Sequence, residues 1–442
     1  MLRSIKLTNV GPSPELSMKL SPRLNLITGD NGLGKSFLLD VAWWSLTGYW
    51  PEEVNPRMQT GKKPIPSKRS FASIAYQVGN GTEQLSYQSV FDPHSESWED
   101  IGSKRSPTSW GQLVLYSLAD GSYAIFDPLR ARSNYIRLAG ARVDNYPLFA
   151  YARGFVFTSW EVWDGLKATA SSRSHCNGLI SDWASWQREN GDSFQKLKEV
   201  LKELSPSQGE ILVPGELTRV SIDDVRDIPT IVMGNGQQVP VIYASSGIKR
   251  ILATAYLLVW TWQEHVKAAE LLGLDNVYDM VFLFDEVESH LHPTWQRSIV
   301  RAMMSVVEQL SDKVHVQMIT TTHSPLIMAS VEPLFDPTKD AWFDLDLRKS
   351  NGCQGTVVLS HRPFVRHGDA SNWLTSEAFN LASARSIEAE QILESATKAM
   401  TDPGFSKTDA QRVYEQLQSV LGDTDPFWVR WRFVSEKKGW LK

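Results

Sequence analysis

Hydrophobic and polar residues alternate at the start of the chain in a pattern that predicts three strands and one buried helix. The alternation covers residues 2–9 and 15–20, and a third apolar run, residues 24–28, leads into a glycine-rich turn. Residues 36–46 are apolar on nearly every face, which is typical of a helix buried beneath a sheet. We therefore expect the turn to join a buried strand directly to a buried helix.

The pattern changes after residue 50. Residues 50–70 are rich in proline and in basic residues and predict a surface loop. Two apolar runs, residues 113–118 and 122–126, flank an Asp-Gly turn and predict a β-hairpin. Between residues 180 and 204, apolar side chains recur at helical spacing. We assign residues 51–235 to an inserted lobe that is β-rich and helical.

Strands and helices alternate again towards the end of the chain. A long apolar helix follows Gly247, and two apolar strands, residues 280–284 and 316–320, enclose another helix. Buried strands that alternate with helices predict α/β architecture with a parallel sheet. The predicted organisation is a core of two parts, the insert between them and a helical C-terminal region, with bounds at residues 1–50, 51–235, 236–362 and 363–442.

Composition narrows the class of protein. The 442 residues carry a formal net charge of -5, which argues against a protein that coats nucleic acid or anionic membrane through bulk electrostatics. The two cysteines are far apart and lack C-x-x-C spacing, which disfavours a disulfide framework or structural zinc. The chain shows no continuous apolar leader and no apolar stretch of membrane-spanning length. We expect a soluble, cytoplasmic protein with no membrane partner.

A phosphate-binding motif occupies the glycine-rich turn. Residues 29–36 read Gly-Asp-Asn-Gly-Leu-Gly-Lys-Ser and match G-x-x-x-x-G-K-[ST] between a predicted strand and a predicted helix. The glycines allow backbone N–H groups to surround phosphates, Lys35 reaches the β- and γ-phosphates, and Ser36 holds Mg²⁺. A chance glycine turn is the alternative. The predicted nucleotide-binding residues are Asn31, Gly32, Gly34, Lys35, Ser36 and Phe37.

Two carboxylates end the apolar strand at residues 280–284. Asp285 is expected at the carboxyl edge of the sheet beside the phosphate loop, where it positions Mg²⁺, and Glu286 is expected to face the attacking water. The alternative is a solvated strand exit. His323 follows the next strand and is predicted to contact the γ-phosphate or the attacking water, unless it is an ordinary hydrogen-bonded strand-end histidine.

The order of these motifs resembles that of the ABC-type ATPases, in the branch that contains SMC, RecF and OLD-like proteins. The likeness covers residues 1–50 and the region between residues 240 and 330. The run Asp-Glu-Val-Glu-Ser-His-Leu-His-Pro at residues 285–293 resembles that of the small prokaryotic AAA-15 and AAA-21 ATPases, many of which belong to phage-defence systems. The resemblance implies an α/β fold, namely an ABC-type P-loop ATPase with a mixed-sheet core.

The resemblance also implies roles for individual residues and ligands. The turn Ser245-Ser246-Gly247 resembles the ABC signature, which caps the γ-phosphate of ATP bound by the partner subunit, although Ile248 departs from the usual Gln or Glu. Glu286 corresponds to the catalytic base, His323 to the switch histidine, and Glu288 and His290 to the D-loop. No Q-loop glutamine can be assigned. ATP and Mg²⁺ are the implied cofactors, and an ATP-dependent homodimer or higher oligomer is the implied assembly.

Related classes of protein fit less well. A transporter subunit is disfavoured by the long segment between Ser36 and Ser245, and an SMC protein is disfavoured because that segment lacks coiled-coil repeats. An OLD-type nuclease needs a metal-binding domain after the ATPase, with a D-x-D motif. Asp344 and Asp346 form such a pattern, but they alternate with apolar residues, so an ordinary half-buried strand explains them. Zinc at Glu288, His290 and His292 is disfavoured because the D-loop interpretation already accounts for that cluster.

The output of such an ATPase is expected to reside in a partner. We favour an effector such as a nuclease or toxin in anti-phage defence, with a RecF-like DNA-binding clamp and a nucleotide-gated scaffold as alternatives. Two groups of basic residues are candidates for contact with nucleic-acid phosphates, and the default interpretation is that each is a solvated surface. The groups are Arg130, Arg132, Arg137 and Arg142 around Tyr135, and Lys62, Lys63, Lys68 and Arg69.

Aromatic residues near the C-terminus form a second feature without an assigned role. Phe427, Trp428 and Trp431 are predicted to pack beneath the helical tail, and a docking surface for a partner protein is the alternative. The chain contains 17 tryptophans, and those outside the motif-bearing regions mark where we would expect a partner to bind.

Overall fold

The computed structural model describes residues 1–66, 71–80, 83–102, 111–131, 154–167, 174–207, 209–348 and 355–440. The chain divides into two compact units, Met1–Arg366 and His367–Lys442. Among the described helices, none combines the length and the apolar character needed to cross a bilayer.

The strands of the described residues are, in chain order, β1 (Leu2–Thr8), β2 (Glu15–Lys19), β3 (Leu24–Gly29), β4 (Ser73–Asn80), β5 (Glu83–Asp92), β6 (Ser97–Ile101), β7 (Gln112–Ser117), β8 (Tyr123–Phe126), β9 (Phe155–Phe157), β10 (Leu166–Lys167), β11 (Ser174–Cys176), β12 (Val213–Pro214), β13 (Thr230–Val232), β14 (Gln238–Pro240), β15 (Asp279–Phe284), β16 (His315–Thr321), β17 (Asp340–Arg348) and β18 (Thr356–Arg362).

The helices are α1 (Lys35–Thr47), α2 (Pro51–Val54), α3 (Glu161–Asp164), α4 (Leu179–Glu189), α5 (Asp192–Glu203), α6 (Ser246–Leu272), α7 (Pro293–Gln296), α8 (Ile299–Ser305), α9 (Pro325–Val331), α10 (Ala370–Leu374), α11 (Ile387–Thr401), α12 (Lys407–Val420) and α13 (Phe427–Lys437). Short 3-10 turns cover Val241–Tyr243 and Val306–Gln309, and a further helical turn begins at Pro128.

An eight-stranded mixed sheet forms the centre of the larger unit. Its strand order is β18-β17-β3-β16-β15-β7-β8-β9. The five strands from β17 to β7 are mutually parallel, and antiparallel strands flank them on both sides. Parallel neighbours end at the same edge, so the residues that follow β3, β15 and β16 are brought together there. The predicted α/β fold with a mixed-sheet core is confirmed.

Helix α1 lies between the central sheet and a second, antiparallel sheet. The second sheet has the order β2-β1-β4-β5-β6. Trp43 on α1 is fully buried in a core to which both sheets contribute, and the ring of Trp44 stacks on Trp50 with centroids 5.2 Å apart. The all-round apolar character of residues 36–46 is therefore explained by contacts on opposite sides of the helix. Truncating a buried tryptophan of this kind costs about 3–5 kcal/mol.

The hairpin β7–β8 differs from its predicted place. The sequence analysis put it in the inserted lobe, but β7 pairs in parallel with β15 and belongs to the central sheet. Every residue of β7 is buried. The pattern of a hairpin predicts only its turn and its own two strands. It could not predict that β15 is the other neighbour of β7. The other predicted domain bounds stay predictions.

The helical part of the insert packs against the rest of the larger unit. The predicted helix over residues 180–204 is divided into α4 and α5, because Asn190 at φ 50° and Gly191 interrupt it. Trp183 on α4 is fully buried. The indole Nε1 of Trp295 donates to the carbonyl of Leu204 at 3.1 Å, which ties the end of α5 to the segment after the acidic strand end.

The smaller unit is a helical C-terminal region. Trp428 and Trp431 are 7% and 1% exposed and pack with residues of α11 and α12. These rings therefore form the core of the unit, and the docking alternative does not apply to them. Trp183 and Trp186 of the insert are likewise buried, whereas Trp160 is 53% exposed.

Candidate functional site

The phosphate loop bridges β3 and α1, as its motif requires. Gly34 caps α1 at φ 98°, and a side chain there would bring its Cβ within 2.8 Å of Pro12, so glycine is needed. Lys35 Nζ donates to the carbonyls of Gly29 at 2.8 Å and Asp30 at 2.9 Å. Asn31, Gly32 and Ser36 are exposed, and the half-buried ring of Phe37 packs in the core cluster at the start of α1.

Asp285 lies beside this loop. Its carboxylate hydrogen-bonds to the Ser36 side chain, and its Oδ1 accepts from Thr321 Oγ1 at 2.8 Å. Burial raises the pKa of Asp285, and these two hydrogen bonds oppose the shift. A serine hydroxyl and a carboxylate are the hard oxygen ligands that Mg²⁺ prefers. The residues present therefore fit a magnesium ion at this position.

Glu286 has an uncommon backbone conformation for a residue with a side chain, with φ at 49°. Its N–H donates to Thr321 Oγ1 at 2.7 Å. Thr321 therefore donates to Asp285 and accepts from Glu286, so that one hydroxyl fixes both acidic residues. Sequence analysis did not assign Thr321 a role, although it lies in the threonine run before His323.

His323 lies within the electrostatic field of the same site. Burial lowers the pKa of His323, and the charge of Lys35 lowers it further, whereas Glu286 and Asp285 oppose the shift. The backbone N–H of His323 donates to Glu288 Oε1 at 2.5 Å. Burial also raises the pKa of Glu288. The structure thus brings Lys35, Asp285, Glu286, Glu288 and His323 to one edge of the sheet.

The predicted signature segment contacts the predicted D-loop at His290. Ser245 caps α6 by accepting from the N–H of Ile248, and both Ser245 and Ser246 are exposed. Gly247 is buried, and a Cβ at this position would lie 2.5 Å from the carbonyl oxygen of His290. The two exposed serines therefore lie at the start of α6, and the residue that follows them, Gly247, packs against the predicted D-loop.

Part of the chain matches a known protein family. Residues 153–329, about two fifths of the chain, match the family described as "AAA domain, putative AbiEii toxin, Type IV TA system" (AAA_21). The matched region includes Ser245, Asp285, Glu286 and His323, and the phosphate loop precedes it. This region is therefore similar to ATPase domains of the AAA-21 type. The predicted resemblance to the AAA-21 group is confirmed.

Two curated relatives of the chain are retron proteins. "Retron Ec83 probable ATPase" of Escherichia coli is 22% identical over 48% of this chain and 34% of its own length. "Retron Vc95 probable ATPase" of Vibrio cholerae serotype O1 biovar El Tor is 29% identical over 26% of this chain and 21% of its own length. The chain thus aligns with about a third or less of the length of these relatives.

Two solved structures with similarity to the chain are an SMC head domain and a RecF protein. An SMC head domain from Thermotoga maritima has a TM-score of 0.38 and 12% identity, and it covers 82% of this chain and 99% of its own. The recombination mediator protein RecF-ATPrS has a TM-score of 0.36 and 14% identity, and it covers 82% of this chain and 98% of its own.

The residues of the alternative metal sites make structural contacts. Asp344 is 2% exposed, accepts from Thr28 Oγ1 at 2.9 Å and pairs with Arg362. It therefore joins β17 to β3 just before the phosphate loop. His292 caps α7 by accepting from the N–H of Thr294. In the described part of the chain, no three or more His, Cys, Asp or Glu side chains are grouped to hold a metal ion.

The basic groups are only partly described. Arg130 pairs with Glu264 and Asp127, so its charge is used within the unit. Lys63 Nζ donates to the carbonyl of Glu96 at 2.6 Å, and Lys62 is exposed. The remaining members, Arg132, Tyr135, Arg137, Arg142, Lys68 and Arg69, lie outside the described residues.

A half-buried acid one turn beyond Ser36 predicts a pH-dependent stability. Asp40 Oδ1 accepts from Tyr116 at 2.9 Å, and burial raises the pKa of Asp40 to about 8. Between the ordinary aspartate pKa and about 8, the folded protein binds a proton here that the unfolded chain does not, so the free energy of unfolding falls as pH rises. We expect Asp40→Asn to remove this component. Its melting temperature relative to wild type, measured by thermal shift from pH 5 to 9, should therefore increase with pH.

The control for this prediction is Asp92→Asn. Asp92 is fully exposed, and hydrogen bonds from Ser95 and His94 lower its pKa, so its proton uptake lies at the acidic end. Parallel pH curves for wild type and Asp40→Asn would contradict a raised pKa at Asp40.

Proposed function

We propose that the chain binds Mg-ATP, dimerises around it and hydrolyses it to ADP and phosphate. The proposal is carried by the placement of Lys35, Ser36, Asp285 and Glu286 at one edge of the sheet, with the Ser36 side chain hydrogen-bonded to Asp285. A cationic loop next to paired carboxylates is the arrangement that phosphoryl transfer needs.

Each residue has a distinct task in this proposal. The exposed phosphate loop binds the phosphates through its N–H groups, and Lys35 exchanges its carbonyl partners for phosphate oxygens. Mg²⁺, when bound, neutralises charge on the phosphates. Glu286 orients the attacking water and accepts its proton, and Thr321 holds the Glu286 backbone in place. His323, with its lowered pKa, is suited to accept a hydrogen bond from that water.

The exposure of Ser245 and Ser246 supports action on a second protomer. Their hydroxyls lie at the N-terminus of a helix of 27 residues, whose dipole and N–H groups favour an anion. By the resemblance to ABC signatures, that anion is the γ-phosphate held by the partner protomer. Each site is then built from the phosphate loop of one protomer and the signature of the other.

This arrangement predicts complementation between inactive variants. Lys35→Ala removes the phosphate-loop cation, and Ser245→Arg blocks the signature. Each variant alone should be inactive, but a mixture should regain roughly a quarter of the wild-type rate of phosphate release, since half of the dimers are mixed and each mixed dimer has one intact site of two. The rate is measured by a colorimetric phosphate assay after mixing equal amounts.

The matched control mixes Lys35→Ala with Glu286→Gln. Both changes affect the same half of the composite site, so neither site of a mixed dimer is intact and activity should stay absent. Equal recovery in both mixtures, or recovery in neither, would refute the trans arrangement.

We further propose that this ATPase is the sensor or regulatory engine of a partner effector, such as a nuclease or toxin, in anti-phage defence. The support is the similarity to two retron ATPases and to a family described by toxin–antitoxin terms. The test is efficiency of plating for phage on cells that carry the gene with its neighbours. Glu286→Gln should abolish protection, and unaltered protection would contradict a role for turnover.

A further inference from the structure

A buried arginine joins the helix that carries Ser245 to the strand end that carries Glu286. Arg250 lies five residues after Ser245 on α6 and is only 9% exposed. Its Nη2 donates to the main-chain carbonyl of Asp285 at 2.8 Å. That carbonyl belongs to the peptide that precedes Glu286. Arg250 therefore holds the backbone from which the proposed catalytic base projects.

The arginine is itself held from the central sheet. Its main-chain carbonyl accepts from Thr254 Oγ1 at 2.9 Å and from the hydroxyl of Tyr123 at 3.4 Å. The two hydroxyls lie 2.8 Å apart, and Tyr123 is on β8. The backbone of α6 at Arg250 is therefore held by two hydroxyls, one of which comes from the central sheet.

The charge of this side chain is incompletely paired. Within the described residues, Arg250 Nη1 is buried and has no hydrogen-bond partner. Burying a cation costs free energy unless it is paired, and an apolar side chain would fill the same volume without that cost.

A second contact links the same two segments. The carbonyl of His290 lies against Gly247, close enough that any Cβ would collide with it. The start of α6 thus contacts the D-loop through Gly247 and the strand end through Arg250. A displacement of Ser245 reaches both segments through groups already in contact.

We propose that Arg250 is a positioning residue: it transmits engagement of Ser245 with the ATP of the partner protomer to Glu286 of its own protomer, through the carbonyl of Asp285. The inference rests on the proposed function. In this proposal Arg250 acts only through the Asp285 carbonyl and has no contact of its own with the nucleotide or the attacking water.

The first test compares three variants in steady-state ATPase assays. Arg250→Met keeps the volume but removes the donors, and Arg250→Lys keeps the charge and one donor group. We expect kcat to fall about 10- to 100-fold in Arg250→Met and less in Arg250→Lys, with KM and the affinity for a fluorescent ATP analogue within about threefold of wild type. The control Lys249→Met removes the neighbouring, half-buried cation and should leave kcat unchanged.

A double-mutant cycle separates coupling from simple loss of structure. If Arg250 acts through Ser245, the variant with both Ser245→Ala and Arg250→Met should lose no more kcat than the worse single variant. Losses that multiply would overturn the proposal. Should Arg250→Met fail to fold, as judged by its melting temperature, the same cycle with Arg250→Lys decides by the same criterion.

The outcomes also distinguish this inference from the proposed function. A wild-type protein without ATPase activity that depends on Glu286 would refute the proposed function itself. Retention of that activity together with an unaltered kcat in both Arg250 variants would refute only the inference about Arg250.

Discussion

Replacing Lys35 with alanine is expected to lower ATP turnover by about 100- to 1,000-fold and to weaken nucleotide binding in parallel. The Lys35 ammonium lies inside the phosphate loop, where it bonds to the carbonyls of Gly29 and Asp30. Burial lowers the pKa of Lys35, and the carboxylates of Asp285 and Glu286 oppose that shift. The cation therefore balances the acidic strand end as well as the incoming phosphates.

The measurement for Lys35→Ala is phosphate release over a range of ATP concentrations, together with the affinity for a fluorescent ATP analogue. Lys19→Ala is the matched control, because Lys19 is an exposed lysine on β2. A wild-type affinity for ATP in Lys35→Ala, with an unaltered melting temperature, would show that the phosphate loop is not the nucleotide site.

Replacing Glu286 with glutamine is expected to abolish turnover but to preserve binding. A general base contributes about 100- to 10,000-fold to a rate, and glutamine of the same size cannot accept the proton. The backbone N–H of residue 286 keeps its bond to Thr321 Oγ1, so the strand end should retain its geometry. Because ATP is then bound and not consumed, we expect the ATP-bound dimer to accumulate.

Two measurements check the Glu286 prediction, namely kcat and elution volume in size-exclusion chromatography with and without Mg-ATP. Glu15→Gln is the control, because Glu15 forms an exposed ion pair with Lys6, of a kind that contributes little to stability. An ATPase rate in Glu286→Gln equal to that of wild type would remove Glu286 from the mechanism.

The two predictions differ in what they reveal. Lys35→Ala acts on binding and turnover together, because the side chain lies in the loop that receives the phosphates. Glu286→Gln acts mainly on turnover, because it removes the proton acceptor and leaves the phosphate loop and Lys35 in place. Observing both patterns would separate the nucleotide-binding role of the loop from the catalytic role of the strand end.

Local motifs were sufficient to predict the parts of the site that depend on neighbouring residues. The phosphate loop needs glycines, a lysine and a serine in a fixed order between a strand and a helix, and α1 begins at Lys35 as expected. The acidic strand end likewise follows from an apolar run that ends in two carboxylates, and β15 ends at Phe284. Both features are formed by a few consecutive residues, so the order and spacing of those residues are enough to predict them.

Contacts between distant residues could not be predicted in this way. Thr321, Glu288 and Arg250 contact the site through hydrogen bonds that join residues about 35 positions apart in the chain, at positions with no required spacing. An arginine on an apolar helix could equally have faced solvent. Its burial against the Asp285 carbonyl depends on how α6 crosses the sheet.

Local periodicity and spacing were enough to predict the α/β class, the phosphate loop, the acidic strand end and the strand-end histidine. The pairing of β7 with β15, the bond from Thr28 on β3 to Asp344 on β17, and the bond from Arg250 on α6 to Asp285 became visible only in the folded chain. Sheet order and helix crossing are set by the burial of whole faces, which no short stretch of sequence specifies.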